Sequence, residues 1–381
     1  MATALDEKLT HLREKVSIFA AEIIAPRSSR LRAHLEFPFD IWRRMATEQL
    51  LGIGIPEQYG GFGGTYRAIS VAGEALVSGG HNMGLSLSWT IHQVIARFLL
   101  GEFGNESQCG TYLPAMATGA NTAAVAISEP EAKAHPKYMS TSASMHDGYY
   151  LLNGTKSFLT NGPIADFFVV CAITGTGNDN RKDFSAFIVP KSTEGVSITK
   201  FIEFEFLRPS PHCEITLSGC RVPEAGILGV KNQAYDSMIK PFRDVEEVCL
   251  MGSVVGGMAQ QLALLVTRFR AAPVPASDGL KLRLGHLQSI LDMLRIAAYE
   301  AAHMLDSGIR HPEFLSLLLS FRYLAGDFQE SITHLMSDIT SEPYSEFSSL
   351  SVDVSTTVGI AAYVARIKQQ KHGEQLLAGK E

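Results

Sequence analysis

A histidine and two cysteines are the first residues whose types suggest chemistry. His212 and Cys213 are adjacent, and Cys220 follows a short distance along the chain. Imidazole and thiolate groups are ligands that zinc prefers, and a structural zinc site normally needs four of them. This spacing crosses an apparent β-hairpin and supplies no fourth ligand. Packing of the three side chains is therefore the favoured interpretation, and no metal site is predicted.

Other polar or glycine-rich clusters also have plain structural interpretations. The glycines of the segment 60–64 could cradle a phosphate, but such a loop normally follows a β-strand, and this one does not. Glu246 and Glu247 lie near the start of a predicted helix, where the helix dipole favours solvated acids. Ser128 and Thr160 lie at the ends of β-rich runs, where hydroxyls usually make local hydrogen bonds. On residue types alone, none of these clusters defines a reaction.

The composition indicates a folded protein that is not adapted to bind polyanions. The chain has 381 residues, 46% hydrophobic and 19% charged, with a net charge of -6. Binding to nucleic acid or to an anionic membrane needs a basic face, so neither partner is expected. The five cysteines are scattered and odd in number, which favours a reducing compartment. With no secretory pattern in the first residues and no long uninterrupted apolar run, we expect a cytoplasmic protein.

The elements that must position these residues fall into three regions, which predict an α+β multidomain protein. Apolar residues recur at helical spacing in residues 1–120, except in the glycine-rich stretch 52–64, which reads as a loop. Residues 121–230 contain short β-rich runs, with Asp-Gly and Asn-Gly steps that favour hairpins, and predict an antiparallel β domain. Residues 231–381 return to helical spacing in four long segments and predict a four-helix bundle.

Segments at the joints of these regions resemble the acyl-CoA dehydrogenase family. They are IPEQYGGFGG, FGNESQCGTYLPAMATG, AISEP, LNGTKSFLTNGPIADFFVV and CRVPEAGILG, all before residue 230. Their order and spacing also fit the family. The resemblance implies FAD as the cofactor, an acyl thioester of CoA or a carrier protein as the substrate, and a place in fatty acid metabolism. It also implies a homodimer or homotetramer, with an electron-transfer flavoprotein or oxygen as the electron acceptor.

Three residues match the family's contacts with the flavin ring. Ser128, in AISEP, matches the hydroxyl residue beside the pyrimidine and N5 edge of the flavin. Phe158, in SFLTN, matches the aromatic residue that flanks the ring, and Thr160 matches the threonine that contacts N5. The resemblance therefore implies a ring site built from Ser128, Phe158 and Thr160. It assigns no substrate-binding residue.

The family's contacts with the phosphate and adenosine half of FAD are missing. Where the family has a Gly-Ala-Gly-Ser-Asp run, residues 131–135 read EAKAH. The Arg and Phe-Gly that reach the partner subunit's FAD are replaced by Pro273, Ala276 and Ser277. The later Gln with a Gly pair is not recognisable in residues 339–354. A homomer is therefore expected to bind FAD weakly, unless a homologous partner in a heteromer supplies these contacts.

The catalytic base is also absent from its most common position in the family. Between Asp353 and Glu374 there is no acidic residue. A minority of the family, including isovaleryl-type enzymes, carries the base on the first bundle helix. Counting back thirteen residues from Gln260 in GGMAQ gives Glu247. The resemblance thus implies Glu247 as the base, and Glu246, about 100° away on a helix, is not expected to share the role.

The leading hypothesis is an oxidoreductase acting on CH-CH groups, in which a glutamate removes a proton and FAD accepts hydride from an acyl thioester. Glu247 is the predicted catalytic residue. The alternative is a catalytically impaired or non-catalytic subunit of the same fold, which acts in a heteromer or binds a thioester. A flavin monooxygenase on the same scaffold is a third class, and it would not need Glu247.

Overall fold

The computed structural model describes residues 6–131, 134–177, 180–271, 277–308, 312–337, 345–360 and 362–377. The chain folds into two compact units. One unit comprises residues 1–29, 70–83 and 251–381, and the other comprises residues 30–69 and 84–250. The limits of the three predicted regions, residues 1–120, 121–230 and 231–381, stay a prediction.

The described N-terminal residues form helices wherever the apolar spacing predicts them. Asp6 caps the first helix by accepting a hydrogen bond from the backbone N of Leu9 at 2.8 Å, and Asn105 and Gln108 form a capping box at the last. The glycine-rich loop is confirmed as a structural turn, because a Cβ on Gly61 would lie 2.0 Å from the carbonyl oxygen of Ile55. The α-helices are α1 Glu7–Phe19, α2 Ser28–Ala33, α3 Phe39–Thr47, α4 Tyr66–Gly80, α5 Met83–Val94, α6 Gly101–Phe103 and α7 Glu106–Ala117.

The middle region forms one eight-stranded sheet. The strands are β1 Ala123–Ala126, β2 Ser142–His146, β3 Tyr149–Thr160, β4 Phe167–Thr176, β5 Lys182–Pro190, β6 Val196–Ile202, β7 His212–Pro223 and β8 Ile227–Leu228. Their order in the sheet is β6-β7-β3-β2-β4-β5-β8, with β1 paired to β4. The sheet is mixed rather than purely antiparallel, because β1 and β4 run parallel from Ala123 and Phe167 onward. The β2-β3 hairpin lies between these two strands in the sequence, so the chain returns in the same direction.

The turn predictions have mixed outcomes. Asp147 and Gly148 connect β2 to β3 as the Asp-Gly step predicts. Asn153-Gly154 instead lies inside β3, where a Cβ on Gly154 would lie 2.5 Å from the Thr141 hydroxyl oxygen. The Asn-Gly step at 161–162 leads toward β4, which pairs with β2 rather than β3. The Asn-Gly predictions were therefore wrong, and at Gly154 the glycine serves a close approach instead of a turn.

The C-terminal region is helical, as predicted, but one helix was not anticipated. The described helices are α8 Lys240–Ala271, α9 Asp278–Asp306, α10 Pro312–Ser337, α11 Ser345–Gly359 and α12 Ala362–Leu377. The fourth predicted segment, near residues 358–377, corresponds to α12, whereas α11 is the helix that meets α8 and α10. There, the Gln261 amide lies 3.2 Å from Gln329 and 2.7 Å from Ser351. The many serines and β-branched residues of α11 weaken its helical signal in the sequence, although Phe347, Leu350 and Val354 are buried at helical spacing.

Length and composition alone would allow one described helix, Tyr235–Ala271, to cross a membrane, with a mean hydropathy of 1.6. In the protein, 78% of the most apolar 18-residue stretch of this helix is buried. Helices α11 and α12 pass the same test only together, with a bend of 45° between them. Burial of this kind is typical of the core helix of a bundle.

Candidate functional site

The end of β3 turns an aromatic side chain outward. From Lys156 to Leu159, β3 advances three residues while β7 advances two, from Ile215 to Cys213, so β3 carries one extra residue. Phe158 lies in this bulge with φ +62°, and its side chain is 50% exposed. A positive φ is unfavourable for a bulky residue and is found where the surrounding structure enforces it. The bulge therefore holds a ring-sized apolar surface open to solvent at the end of a rigid strand.

Ser128 is held beside this bulge. Its carbonyl oxygen accepts a hydrogen bond of 2.8 Å from the backbone N of Ser157, the neighbour of Phe158. The Lys156 ammonium donates hydrogen bonds to the carbonyl oxygen of Ile127 and to the Glu129 carboxylate, each at 3.0 Å. It therefore binds the residues on both sides of Ser128. Backbone contacts thus fix Ser128, and the structure brings it together with Phe158.

Glu129 is the electrostatic centre of this loop. Its carboxylate also accepts hydrogen bonds from the backbone N of Ser140 at 2.8 Å and of Thr141 at 2.9 Å. Burial alone would raise the pKa of Glu129, but the Lys156 ammonium and these donors lower it from 4.5 to about 2. Burial lowers the pKa of Lys156, and the Glu129 carboxylate opposes that shift. The Ser140 hydroxyl donates to the same carboxylate at 2.9 Å, so four donors hold Glu129, which is ionised at neutral pH, and close the loop.

Thr160 and His212 face each other across β3 and β7. The Thr160 hydroxyl oxygen lies 3.0 Å from His212 Nε2, and His212 Nδ1 lies 3.0 Å from the carbonyl oxygen of Ser210. Burial lowers the pKa of His212 to about 4, although the Ser210 carbonyl opposes that shift. The imidazole is therefore neutral at physiological pH. Among the described residues, no group of three His, Cys, Asp or Glu side chains is arranged to hold a metal ion.

The first turns of α8 carry the two glutamates. Arg243 donates a hydrogen bond of 2.8 Å to the carbonyl oxygen of Ala134, in the loop that follows Ser128. Glu247 lies one helical turn after Arg243 and is partly buried. Burial raises the pKa of its neighbour Glu246 to about 7, with Arg243 lowering and Glu247 raising it. The structure thus gives a near-neutral pKa to Glu246, the residue that was not expected to share the role of base.

The residues present fit one half of a flavin better than the other. Two hydroxyls and an outward aromatic ring at the end of one sheet suit a planar ring with polar edges. On the phosphate side, the observed role of Ser277 is to cap α9, because its hydroxyl accepts a hydrogen bond of 3.2 Å from the backbone N of Leu280. Pro273 and Ala276 lie outside the described residues. The ring half is therefore supported by geometry, and no described residue of the 273–277 segment supports the other half.

Sequence reasoning missed the residues that support the ring site. It named Ser128, Phe158 and Thr160, but not the Glu129–Lys156 pair, and it considered His212 only as a metal ligand. Lys156 lies between Thr155 and Ser157, which gives no signal of burial, and Lys is rarely buried unless paired. The partner of Lys156 lies 27 residues earlier in the chain, so sequence spacing alone does not identify it.

Known proteins resemble this chain along most of its length. Models of the acyl-CoA dehydrogenase N-terminal and middle domains match residues 6–120 and 124–220. An acyl-CoA dehydrogenase of Bacillus subtilis (strain 168) is 29% identical over 315 residues, which are 81% of this chain and 82% of the relative. Mitochondrial isovaleryl-CoA dehydrogenase of Solanum tuberosum is 30% identical over 310 residues, 80% of this chain and 74% of the relative.

Solved structures share the fold at lower sequence identity. The structure of butyryl-CoA dehydrogenase from Megasphaera elsdenii superposes with a TM-score of 0.87 at 20% identity. The match covers 98% of this chain and 99% of that chain. Likeness at this level of identity shows the common architecture, a helical region, a mixed sheet and a second helical region.

Proposed function

The chain belongs to the acyl-CoA dehydrogenase family, whose members are flavoproteins that oxidise acyl-CoA, and from this premise we propose that it oxidises an acyl thioester between Cα and Cβ. In this proposal Glu247 would remove a proton from Cα, and bound FAD would supply the acceptor for the hydride from Cβ, so that the thioester becomes α,β-unsaturated.

The geometry at the end of β3 supports this proposal. Phe158 is 50% exposed at a φ of +62°, an arrangement that costs about 1 to 3 kcal/mol and contributes little to the core. A surface ring held at such a cost is expected where a ligand covers it. Ser128, whose carbonyl binds the backbone of Ser157, and Thr160, two residues after Phe158, add two hydroxyl side chains to this end of β3, which suits the polar edge of a flavin. FAD would supply the hydride-accepting chemistry there, and these side chains would orient its ring and exclude water.

We propose that Glu247 on α8 is the catalytic base and that Glu246 does not share this role. A carboxylate that removes a proton works best when its pKa is raised toward the operating pH. The near-neutral pKa of Glu246 makes that residue the competing candidate. Glu247→Gln and Glu246→Gln form a matched pair of variants, because each keeps the side-chain volume and removes one carboxylate.

The two variants decide between the residues when the FAD-loaded full chain is mixed anaerobically with acyl-CoA thioesters of varied length and branching. We expect Glu247→Gln to lower the rate of flavin reduction at least about a thousandfold, because one base is lost, and to leave thioester binding intact. Glu246→Gln should retain most of the rate. The reverse pattern would assign the base to Glu246. If wild type is never reduced, the catalytic proposal fails and the non-catalytic subunit is favoured.

The affinity for FAD tests the missing phosphate contacts in the same preparation. Charged contacts to phosphate contribute about 1.5 to 3 kcal/mol each, so a homomer that lacks two or three of them should bind FAD weakly. Submicromolar affinity would contradict this account. Tight binding of FAD that appears only after a homologue carrying these phosphate contacts is added would support a heteromer. We also propose that the protein is cytoplasmic and passes electrons to an electron-transfer flavoprotein.

A further inference from the structure

The proton positions around His212 follow from two hydrogen bonds. A neutral imidazole carries one N–H, and its other nitrogen is an acceptor. The carbonyl oxygen of Ser210, 3.0 Å from Nδ1, only accepts, so the proton must lie on Nδ1. His212 Nε2 is then a lone pair, and the Thr160 hydroxyl 3.0 Å away must donate to it. The geometry thus fixes both the tautomer and the direction of the Thr160 O–H bond.

The surroundings hold this arrangement in place. The rings of Phe204 and His212 pack in a T-shaped pair, with an interplanar angle of 82° and the ring centroids 5.1 Å apart. Asn161, the residue directly after β3, donates its backbone N–H to the carbonyl oxygen of Pro211 at 2.8 Å and its side-chain amide to the carbonyl oxygen of Ser88 at 2.8 Å. The ring is therefore confined on one side, and the end of β3 that carries Thr160 is bound to Pro211, the residue directly before His212.

Because the Thr160 hydroxyl donates its proton to His212 Nε2, a ligand on the other side of this hydroxyl meets only its acceptor lone pairs. A flavin changes its hydrogen-bonding character at N5 when it is reduced, because oxidised N5 is an acceptor and reduced N5 carries a hydrogen. A hydroxyl that only accepts is matched to the reduced ring and mismatched to the oxidised ring. The His212–Thr160 bond would therefore act on the balance between the two forms.

We propose that His212 is a positioning residue which holds the Thr160 hydroxyl as an acceptor toward flavin N5 and so favours the reduced flavin. This inference rests on the proposed function, in which Thr160 meets N5. His212 itself touches neither substrate nor cofactor in this account. It acts only through the direction of one O–H bond.

The first test needs no cofactor. In the apoprotein at neutral pH, ¹⁵N–¹H spectra of the histidine rings should show His212 as the Nδ1–H tautomer with an unprotonated Nε2. Comparison with His212→Phe assigns the signals. A proton on Nε2, or a doubly protonated ring, would overturn the inference.

The second test measures the midpoint potential of bound FAD by spectroelectrochemical titration of the full chain at saturating FAD. His212→Phe keeps a ring against Phe204 but frees the Thr160 proton to reach oxidised N5. We expect the preference for reduced over oxidised flavin to fall about tenfold, the worth of one hydrogen bond, which lowers the potential by about 30 mV. His212→Gln, whose amide oxygen can still accept from Thr160, should restore a potential close to that of wild type.

Thr160→Val provides the control, because without the hydroxyl His212 has nothing to orient. In that background His212→Phe should leave the potential unchanged, even if it lowers the melting temperature. An equal shift in both backgrounds, or no shift in either, would overturn the inference while leaving thioester oxidation intact. If potentials behave as expected but no thioester reduces the flavin, the proposed function fails and the His212 inference stands. A protein that binds neither oxidised nor reduced FAD would overturn both.

Discussion

Glu129 and Glu74 are both buried carboxylates, with 4% and 1% of their surfaces exposed, but their partners differ in kind. Glu129 is bound by the ammonium of Lys156 and by backbone N–H groups of one loop. Glu74, on α4, is bound by side chains of two other helices: Arg13 on α1, and Arg295 and Tyr299 on α9. The first carboxylate shapes a loop, whereas the second ties helices together.

This difference separates a support for a site from a support for the fold. Around Glu74, burial raises the pKa of Tyr299, and all three partners point inward at the carboxylate. Around Glu129, the hydrogen bonds come from Lys156, from the loop backbone and from the Ser140 hydroxyl, and the Ser128 side chain takes no part in them. A buried ion pair that fixes backbone next to an exposed aromatic ring indicates a loop held in shape for something else.

Lys156→Met is expected to have the largest effect, because Glu129 has one cationic partner whereas Glu74 has two. Lys156 is fully buried, and its loss leaves Glu129 charged without its cation, which should lower the free energy of unfolding by about 3 to 5 kcal/mol. Arg295→Met leaves Glu74 with Arg13 and Tyr299, so a loss of about 1.5 to 3 kcal/mol is expected. Urea unfolding of both variants measures the difference.

The double variant Glu129→Gln with Lys156→Met checks the cause of that loss. Removing both charges should recover much of the stability that Lys156→Met alone removes, because no uncompensated buried charge remains. A double variant as unstable as the single one would mean that the lysine stem, rather than the ion pair, stabilises the loop.

Lowering the pH should test the contribution of Glu129 to stability, with a smaller effect than Lys156→Met. The pKa of Glu129 is lowered from 4.5 to about 2, so its contribution is fully present above about pH 4.5 and is lost as pH falls toward 2. The unfolded state binds more protons in this window, so stability must fall with pH, by up to about 3 kcal/mol for this group. Unfolding measured across this range should show a shallower slope in the double variant. An unchanged slope would place the acid sensitivity elsewhere.

The sequence predicts local periods well and non-local partners poorly. Leu9, Leu12, Val16 and Phe19 repeat at helical spacing and are all buried in α1, as the pattern predicts. The parallel pairing of β1 with β4 joins residues 44 apart, from Ala123 to Phe167, and no periodic signal encodes such a partner. Burial of Lys156 depends in the same way on Glu129. Resemblance supplied Ser128, Phe158 and Thr160, but the contacts that hold them needed the structure.

Substitutions of Phe158 are expected to have the smallest effect on stability. They test whether the backbone at the ring site is strained in a way that the fold itself does not need. In an ordinary strand, Gly is less stable than Ala by about 0.5 to 1 kcal/mol. At Phe158, φ is +62°, and a residue with a Cβ pays about 1 to 2 kcal/mol that Gly does not. Phe158→Gly should therefore be more stable than Phe158→Ala by about 0.5 to 1 kcal/mol.

Met145 supplies the matched comparison for this reversed order. It is 47% exposed on β2, close to the 50% exposure of Phe158, and has no positive φ. Met145→Ala should therefore be more stable than Met145→Gly, which is the usual strand order. Both Phe158 variants lose the aromatic ring, so both should bind FAD about fivefold more weakly than wild type, whatever their stabilities. If Ala is the more stable residue at both positions, Phe158 is not strained, and its exposed ring no longer argues for a ligand above it.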